Sequence, residues 1–313
     1  MGLDEKKLAV DLNGLKLKNP ILCASGTFGY CDEFKDFVDI SKLGAIVTKA
    51  ITLEPRSGNE WQRVFEVEAG MINSVGLENV GIKAFIETKL PLLKTKNVSF
   101  IVNVAGATLE EYIKVAKICQ ENNISAIELN ISCPNVKHGC LEFGTDENSL
   151  KTLVNAVRDV YENYLIVKLT PNVTQVEKIA IAAQEAGANA VSAINTVKAL
   201  GKKMFFDQKR REFVITQQIQ GGLSGKAIKP IALGVISRIS KVIDIPIIGM
   251  GGIHTLNDIF EFVSVGADAV QIGTANFTHP DVSENLINQL LNFMNQNDIK
   301  DFNELKLMLR KEN

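Results

Sequence analysis

Residues 246–251 read Pro-Ile-Ile-Gly-Met-Gly, a short apolar run whose last glycine forms a pair with Gly252 ahead of Ile253. A second run, Ala269–Thr274, has the same form and closes on Gly273-Thr274. Six more such runs precede them: Pro20–Ser25, Ala45–Ile51, Ser99–Ala105, Ala126–Ser132, Leu165–Thr170 and Ala190–Asn195. Each is nearly continuous in Val, Ile, Leu or Ala, as a strand buried on both faces must be. Amphipathic segments lie between them, among them Leu109–Asn123, Ser149–Tyr161, Thr174–Gly187 and Ile228–Val242, with Gly187 placed to stop its helix. Strand–helix units repeated in this way predict a closed parallel (β/α)8 TIM barrel. An open doubly wound sheet would place a glycine-rich phosphate loop after its first strand. Here the glycines come late, at Gly251-Gly252 and Gly273, which favours the barrel.

Leu8–Lys18, with Asn13-Gly14 between alternating runs, reads as a small β-hairpin ahead of the barrel. The 313 residues carry no linker or low-complexity tract, so residues 1–313 are expected to form one domain with loops inserted at one face. A formal charge of -2 argues against a general nucleic-acid surface. No apolar run approaches the ~18 residues of a membrane span, and Met1 to Lys7 is charged rather than signal-like. Five cysteines, without a C-x-x-C pair, fit a reducing cytoplasm better than a disulfide framework or a metal cluster. His138, His254 and His279 are scattered and suggest no metal site.

The active site of such a barrel lies at the C-terminal ends of its strands. Those ends carry Ser25, Lys49, Asn103, Asn130 with Cys133, Lys168, Asn195-Thr196, Gly251-Gly252 and Gly273-Thr274. Asn and Gly favour turns, so any one of them has a bland explanation. Lys49 and Lys168 are harder to dismiss, because they interrupt buried runs and a buried ammonium needs a partner. Two lysines at one barrel mouth call for an anion, and glycine turns on the last two strands suit a phosphate. A lone cysteine is most often a small buried hydrophobe, the reading given to Cys23 and Cys119. Cys133 differs: it sits in the polar loop Asn130-Ile131-Ser132-Cys133-Pro134-Asn135, where a thiol near a cation becomes a competent base. Gly139 and Gly144 follow in a stretch suited to a lid, in which His138 reads as solvated. The basic run Lys209-Arg210-Arg211 reads as a solvated turn at least as readily as a partner contact.

Together these residues resemble the class 1 dihydroorotate dehydrogenases, class 1B in particular, over nearly the whole chain. The resemblance rests on Asn130–Lys137 (NISCPNVK), Gly70–Leu77 (GMINSVGL), Ala193–Thr196 (AINT), Gly221–Pro230 (GGLSGKAIKP), Gly249–Ile253 (GMGGI) and Gln271–Thr274 (QIGT). The membrane-associated class 2 enzymes carry an N-terminal extension and a serine base, which this sequence is not expected to have. The resemblance departs at Glu60-Trp61-Gln62, where the family usually has prolines, and at Cys140, which replaces a common glycine.

The resemblance implies FMN as cofactor and oxidation of dihydroorotate to orotate in pyrimidine biosynthesis. It implies Cys133 as the base that removes a proton from one ring carbon while hydride leaves its neighbour. It implies that Lys49 lies between flavin and substrate and neutralises the orotate carboxylate. Asn73, Ser74, Val75, Gly76, Leu77, Asn130, Asn195 and Thr196 would complete the substrate contacts. An asparagine offers both a donor and an acceptor to a neutral pyrimidine dione. Lys168 would stabilise the reduced flavin. Ser25, Lys49, Ala50, Asn103, Asn130, Ile194 and Gly225 would complete the flavin site, with Gly251, Gly252, Gly273 and Thr274 on its phosphate. Class 1B enzymes pass electrons to NAD through a partner subunit carrying FAD and an iron–sulfur (2Fe-2S) cluster, so a homodimer within a heterotetramer is implied. The alternatives are a fumarate-using class 1A enzyme, a dihydropyrimidine-dehydrogenase-like subunit, a tRNA dihydrouridine synthase and a non-catalytic scaffold. Near-neutral charge counts against the RNA enzyme, and two lysines with Cys133 at one mouth count against the scaffold.

Overall fold

The structure, a computed structural model, describes residues 6–30, 32–34, 36–132 and 143–311. Cys31, Cys133 and the lid residues His138, Gly139 and Cys140 lie outside the described residues.

Among the described residues fourteen strands follow in chain order: β1 (Val10–Leu12), β2 (Leu15–Leu17), β3 (Ile21–Cys23), β4 (Ala45–Val47), β5 (Val64–Val67), β6 (Gly70–Asn73), β7 (Ser99–Val104), β8 (Ala126–Asn130), β9 (Tyr164–Lys168), β10 (Ala190–Ala193), β11 (Val197–Asp207), β12 (Glu212–Ser224), β13 (Ile247–Met250) and β14 (Ala269–Ile272). Strands β3, β4, β7, β8, β9, β10, β13 and β14 pair in parallel and close into a barrel through Val270 beside Ile21 and Ile272 beside Cys23. The eight runs read from sequence are the eight barrel strands. Their β-branched and aliphatic residues are buried on both faces, inside the barrel and under the helices.

The helices bury one stripe each. Helix Leu109–Glu121 turns Tyr112, Val115, Ala116 and Cys119 inward, and the Thr108 side chain caps it by accepting from the Glu111 N–H. Asp146 caps Glu147–Arg158 in the same way, accepting from Ser149 N. Helices Val176–Glu185 and Lys229–Ile239 match the remaining two helical segments to within a few residues. Cys23 and Cys119 are buried, and burial pushes both thiols up to about 12, so neither is a reactive thiol.

Strands β1 and β2 form the expected hairpin, with Asn13 (φ 55°) and Gly14 (φ 114°) in its turn. The hydroxyl of Tyr164, at the start of β9, donates to Leu12 O, so the hairpin sits at the N-terminal end of the barrel and leaves the other end open. At that other end, insertions after β4 and β10 build a four-stranded antiparallel sheet in the order β11-β12-β6-β5. Strands β11 and β12 continue beyond it as a long two-stranded arm, whose turn carries Lys209-Arg210-Arg211. That turn is solvated: Asp207 accepts from the backbone N–H of Lys209 and of Arg210. No helix of the described residues is long and apolar enough to cross a membrane.

Candidate active site

The barrel strands stop short of the polar residues that follow them, which leaves those side chains at the mouth rather than in the ladder. Ser25 lies two residues beyond β3, Lys49 two beyond β4, Asn195 two beyond β10 and Thr274 two beyond β14, while Asn130 and Lys168 end β8 and β9.

On one side of the mouth these residues bond to one another. Asn195 Nδ2 donates to Asn130 Oδ1 at 3.2 Å, and Asn195 Oδ1 accepts from Thr196 N at 2.9 Å. Asn130 is held from behind by the Tyr112 hydroxyl, which donates to its carbonyl at 2.6 Å. Asn73 Nδ2 donates to Gly222 O at 3.2 Å, and a Cβ on Gly222 would fall 2.0 Å from Thr196 Oγ1, so only glycine lets β12 pass between Asn73 and Thr196. The loop after Asn73 turns through Gly76 (φ 78°) and Leu77 (φ 55°) and is pinned by buried Asn79. Asn79 donates to Thr52 Oγ1 and to Leu77 O at 2.8 Å each, and accepts from Thr52 N and Gly81 N. Asn59 Nδ2 holds Ser74 through its carbonyl and hydroxyl, and Asn59 N donates to Val75 O at 3.0 Å.

The lysines need a correction. Each already has a carboxylate of the chain within reach: Lys49 Nζ lies 3.5 Å from Glu78 Oε2 and Lys168 Nζ lies 3.8 Å from Glu128 Oε1. Lys49 is only half-buried, whereas Lys168 is sealed at 5 % exposure and donates to Ser25 Oγ at 3.0 Å. The lysines therefore do not by themselves demand an anion from outside the chain. Glu128 was missed from sequence, although a charge inside the run Ala126–Asn130 is the same signal that singled out Lys168.

Beside them three glycine turns converge, with a Cβ on Gly251 falling 3.4 Å from Ile194 Cγ1. Gly225 (φ 92°), Gly251 (φ 124°) and Gly252 (φ 82°) occupy backbone conformations that favour glycine. A Cβ on Gly252 would meet Gly225 O at 2.9 Å, and Thr274 Oγ1 donates to Ser224 Oγ at 2.8 Å, so the turns after β12, β13 and β14 meet. Gly273 is different: a Cβ there would meet nothing closer than Ala24 Cβ at 3.8 Å. The protein's own packing does not require glycine at 273, as expected where space is kept for a bound group. Asn103 Oδ1 and Gln271 Oε1 are also buried without a hydrogen-bond partner among the described residues. Orphaned acceptors, a buried ammonium and a glycine cradle at one barrel end fit a phosphorylated cofactor with hydrogen-bond donors on its ring. Ala50 and Ile194 are buried beside this end and can offer only backbone or apolar contact.

Comparison with known proteins follows the same path. A sequence profile of the dihydroorotate dehydrogenase family matches residues 7–294. The chain is 46% identical over 299 residues to the dihydroorotate dehydrogenase B (NAD(+)) catalytic subunit of Geotalea uraniireducens, covering 95% of this chain and 96% of that one. It is 45% identical over 299 residues to the protein of the same name from Bacteroides thetaiotaomicron, covering 95% of this chain and 97% of that one. Among solved structures, the DHODH of Eimeria tenella, crystallised with ferulenol, superposes with a TM-score of 0.77 at 21% identity, covering 96% of this chain and 88% of that chain. At that identity the likeness speaks for the barrel alone.

Proposed function

The chain belongs to the dihydroorotate dehydrogenase family, and we propose that it is the catalytic subunit of an NAD-linked enzyme that oxidises dihydroorotate to orotate using bound FMN. One observation supports this reading above the rest: residues from six separate sequence blocks meet at one end of the barrel, with the asparagines and the glycine turns side by side.

FMN, when bound, supplies the hydride acceptor. Gly251, Gly252, Gly273 and Thr274 would hold its phosphate, while Ser25, Ala50, Asn103, Lys168, Ile194 and Gly225 would line the rest of its site. Lys49 would leave Glu78 to meet the substrate carboxylate. Asn73, Asn130 and Asn195 would offer a neutral dione the donors and acceptors left over from their mutual and backbone bonds, and the Ser74–Leu77 backbone would close that side. Lys168 would place a positive charge beside the part of the cofactor that gains negative charge on reduction. Cys133, three residues beyond the end of β8, would take the proton from the ring carbon. Neither bond to hydrogen breaks easily alone in an aliphatic ring, so the site would need both a base and a hydride acceptor within reach of the substrate.

Electrons then have to reach NAD through a second subunit, in keeping with the relatives' designation as catalytic subunits. We place this chain in a homodimer joined to an iron–sulfur flavoprotein that carries FAD and a 2Fe-2S cluster, in the cytoplasm. The deciding experiment is anaerobic mixing of the purified yellow protein with dihydroorotate while following flavin absorbance. Bleaching is expected, and a flavin that stays oxidised removes dihydroorotate as the substrate.

A further inference from the structure

Glu128 is fully buried near the middle of β8, and its two oxygens are shared among side chains of four other strands. Oε1 accepts from Asn103 Nδ2 of β7 at 2.7 Å and faces the Lys168 ammonium of β9 at 3.8 Å. Oε2 accepts from Ser192 Oγ of β10 at 2.7 Å and from Gln271 Nε2 of β14 at 3.0 Å. A buried carboxylate survives only when its charge is paired and its lone pairs are filled, and both conditions hold here.

An ionised carboxylate accepts hydrogen bonds and cannot donate. It therefore decides which way round its two amide neighbours sit. Asn103 and Gln271 must each turn the NH2 toward Glu128 and the oxygen away. Those two oxygens are the two amide acceptors among the four buried polar side-chain atoms left without a partner in the described residues. Stability alone does not account for the arrangement, because an apolar core serves as well as a buried ion pair, and orphaned acceptors cost free energy. A ligand that brings donors does account for it.

We infer that Glu128 is a positioning residue of the flavin subsite, acting through Asn103, whose acceptor it aims, and through Lys168, whose ammonium it holds and partly neutralises. The inference rests on the FMN reading above. Because Glu128 opposes the charge of Lys168, it limits how strongly the site favours the extra negative charge of the reduced cofactor.

The test uses two variants of the whole chain loaded with FMN. Glu128→Gln keeps the shape and removes the charge. The midpoint potential of the bound flavin should move positive. FMN affinity should fall by at least roughly tenfold, since a single amide oxygen cannot satisfy all three former donors. Glu128→Asp keeps the charge and shortens its reach, so FMN should bind more weakly at an unchanged potential. A Glu128→Gln protein with wild-type potential and wild-type FMN affinity overturns the inference. If that variant does not fold, Glu128→Asp decides: weaker FMN binding at the wild-type potential supports it, and wild-type binding or a displaced potential overturns it. A wild-type protein that binds no FMN sinks the flavin reading instead, a separate result.

Discussion

Lys49 and Glu78 face each other at 3.5 Å, and the same Glu78 oxygen lies 2.8 Å from Arg63 Nη1. Arg63 is itself tied down, donating from Nη2 to Ser57 O at 2.8 Å and from Nε to Asn59 O at 2.5 Å. A carboxylate of the chain thus stands beside Lys49, where the proposed function puts the substrate carboxylate. The pair is half-exposed, so it is weak and readily exchanged.

That exchange predicts opposite effects for the two partners. Lys49→Met should raise KM for dihydroorotate about 10- to 100-fold, the usual worth of a charge-assisted hydrogen bond. Glu78→Gln should tighten orotate roughly two- to fivefold, because Lys49 loses a competitor of surface-pair strength. Steady-state kinetics reads the first, and titrating the oxidised flavin with orotate while following its difference spectrum reads the second and gives the orotate affinity of Lys49→Met as well. An unchanged orotate affinity in Lys49→Met would take Lys49 away from the carboxylate.

Cys133 is the proposed base, so Cys133→Ala should retain FMN yet reduce it about 10²- to 10⁴-fold more slowly with dihydroorotate. Stopped-flow absorbance under anaerobic conditions measures this directly. Reduction at close to the wild-type rate would remove Cys133 from the mechanism. Cys23 and Cys119, with thiols pushed up to about 12 by burial, should stay unmodified by thiol reagents near neutral pH in the folded protein.

The barrel was legible because its strands are buried on both faces, which forces unbroken apolar runs. The run ends overshot the observed strands by one to four residues, as at Ala45–Ile51 against Ala45–Val47. Lys49 and Asn195 leave the ladder to face the mouth, and apolarity alone cannot mark that departure. The arm was not legible: β11 and β12 mix Lys, Gln and Gly, and a register shift between Lys203 and Met204 breaks their alternation. Asn79 and Glu128 were passed over for different reasons. Asn79 looks like any turn residue until its four hydrogen bonds are seen. Glu128 carries a readable signal, a charge in a buried run, the same one that marks Lys168.

Lys229 and Asp258 hold the Gly251-Gly252 turn from outside. Lys229 Nζ lies 2.6 Å from Asp258 Oδ1, while Asp258 Oδ2 accepts from His254 N and Thr255 N at 2.8 Å each, and His254 Nδ1 meets Gly252 O at 3.0 Å. Burial opposes the Asp258 charge, but the bonds from Lys229, His254 and Thr255 outweigh it and hold the carboxyl below its ordinary value. The bonds to Asp258 and Glu261 raise Lys229 above the ordinary ammonium value. A depressed carboxyl stabilises the fold fully above the ordinary Asp range and loses this as pH falls through the folded value. A raised ammonium stabilises fully below the ordinary Lys range and loses this as pH rises through the folded value. Asp258→Asn should therefore cost about 1–3 kcal/mol at pH 7. The deficit should shrink once the wild-type Asp258 is protonated in acid. Urea unfolding of both proteins across the acid range checks it, and a deficit independent of pH would remove the charge of Asp258 from the explanation.

The arm carries the last prediction. Met204 is the direct partner of Ile215, and Phe206 of Phe213. Alternation along a strand puts all four on one face. They are 47–67% exposed, with the Phe206 and Phe213 rings edge to face at 5.2 Å. The arm is packed only at its root, where Ile219 joins Phe65 and Ile72 in a small cluster. Apolar side chains gathered on one exposed ribbon mark a surface that another chain covers. Since the ribbon runs away from the mouth residues, Phe206→Asp with Phe213→Asp should leave FMN content and flavin bleaching by dihydroorotate intact. The same double variant should lower the sedimenting mass of the purified chain, or weaken its hold on an electron-transfer subunit supplied with it. If the mass and the subunit pairing both match wild type, the assembly is built on another face.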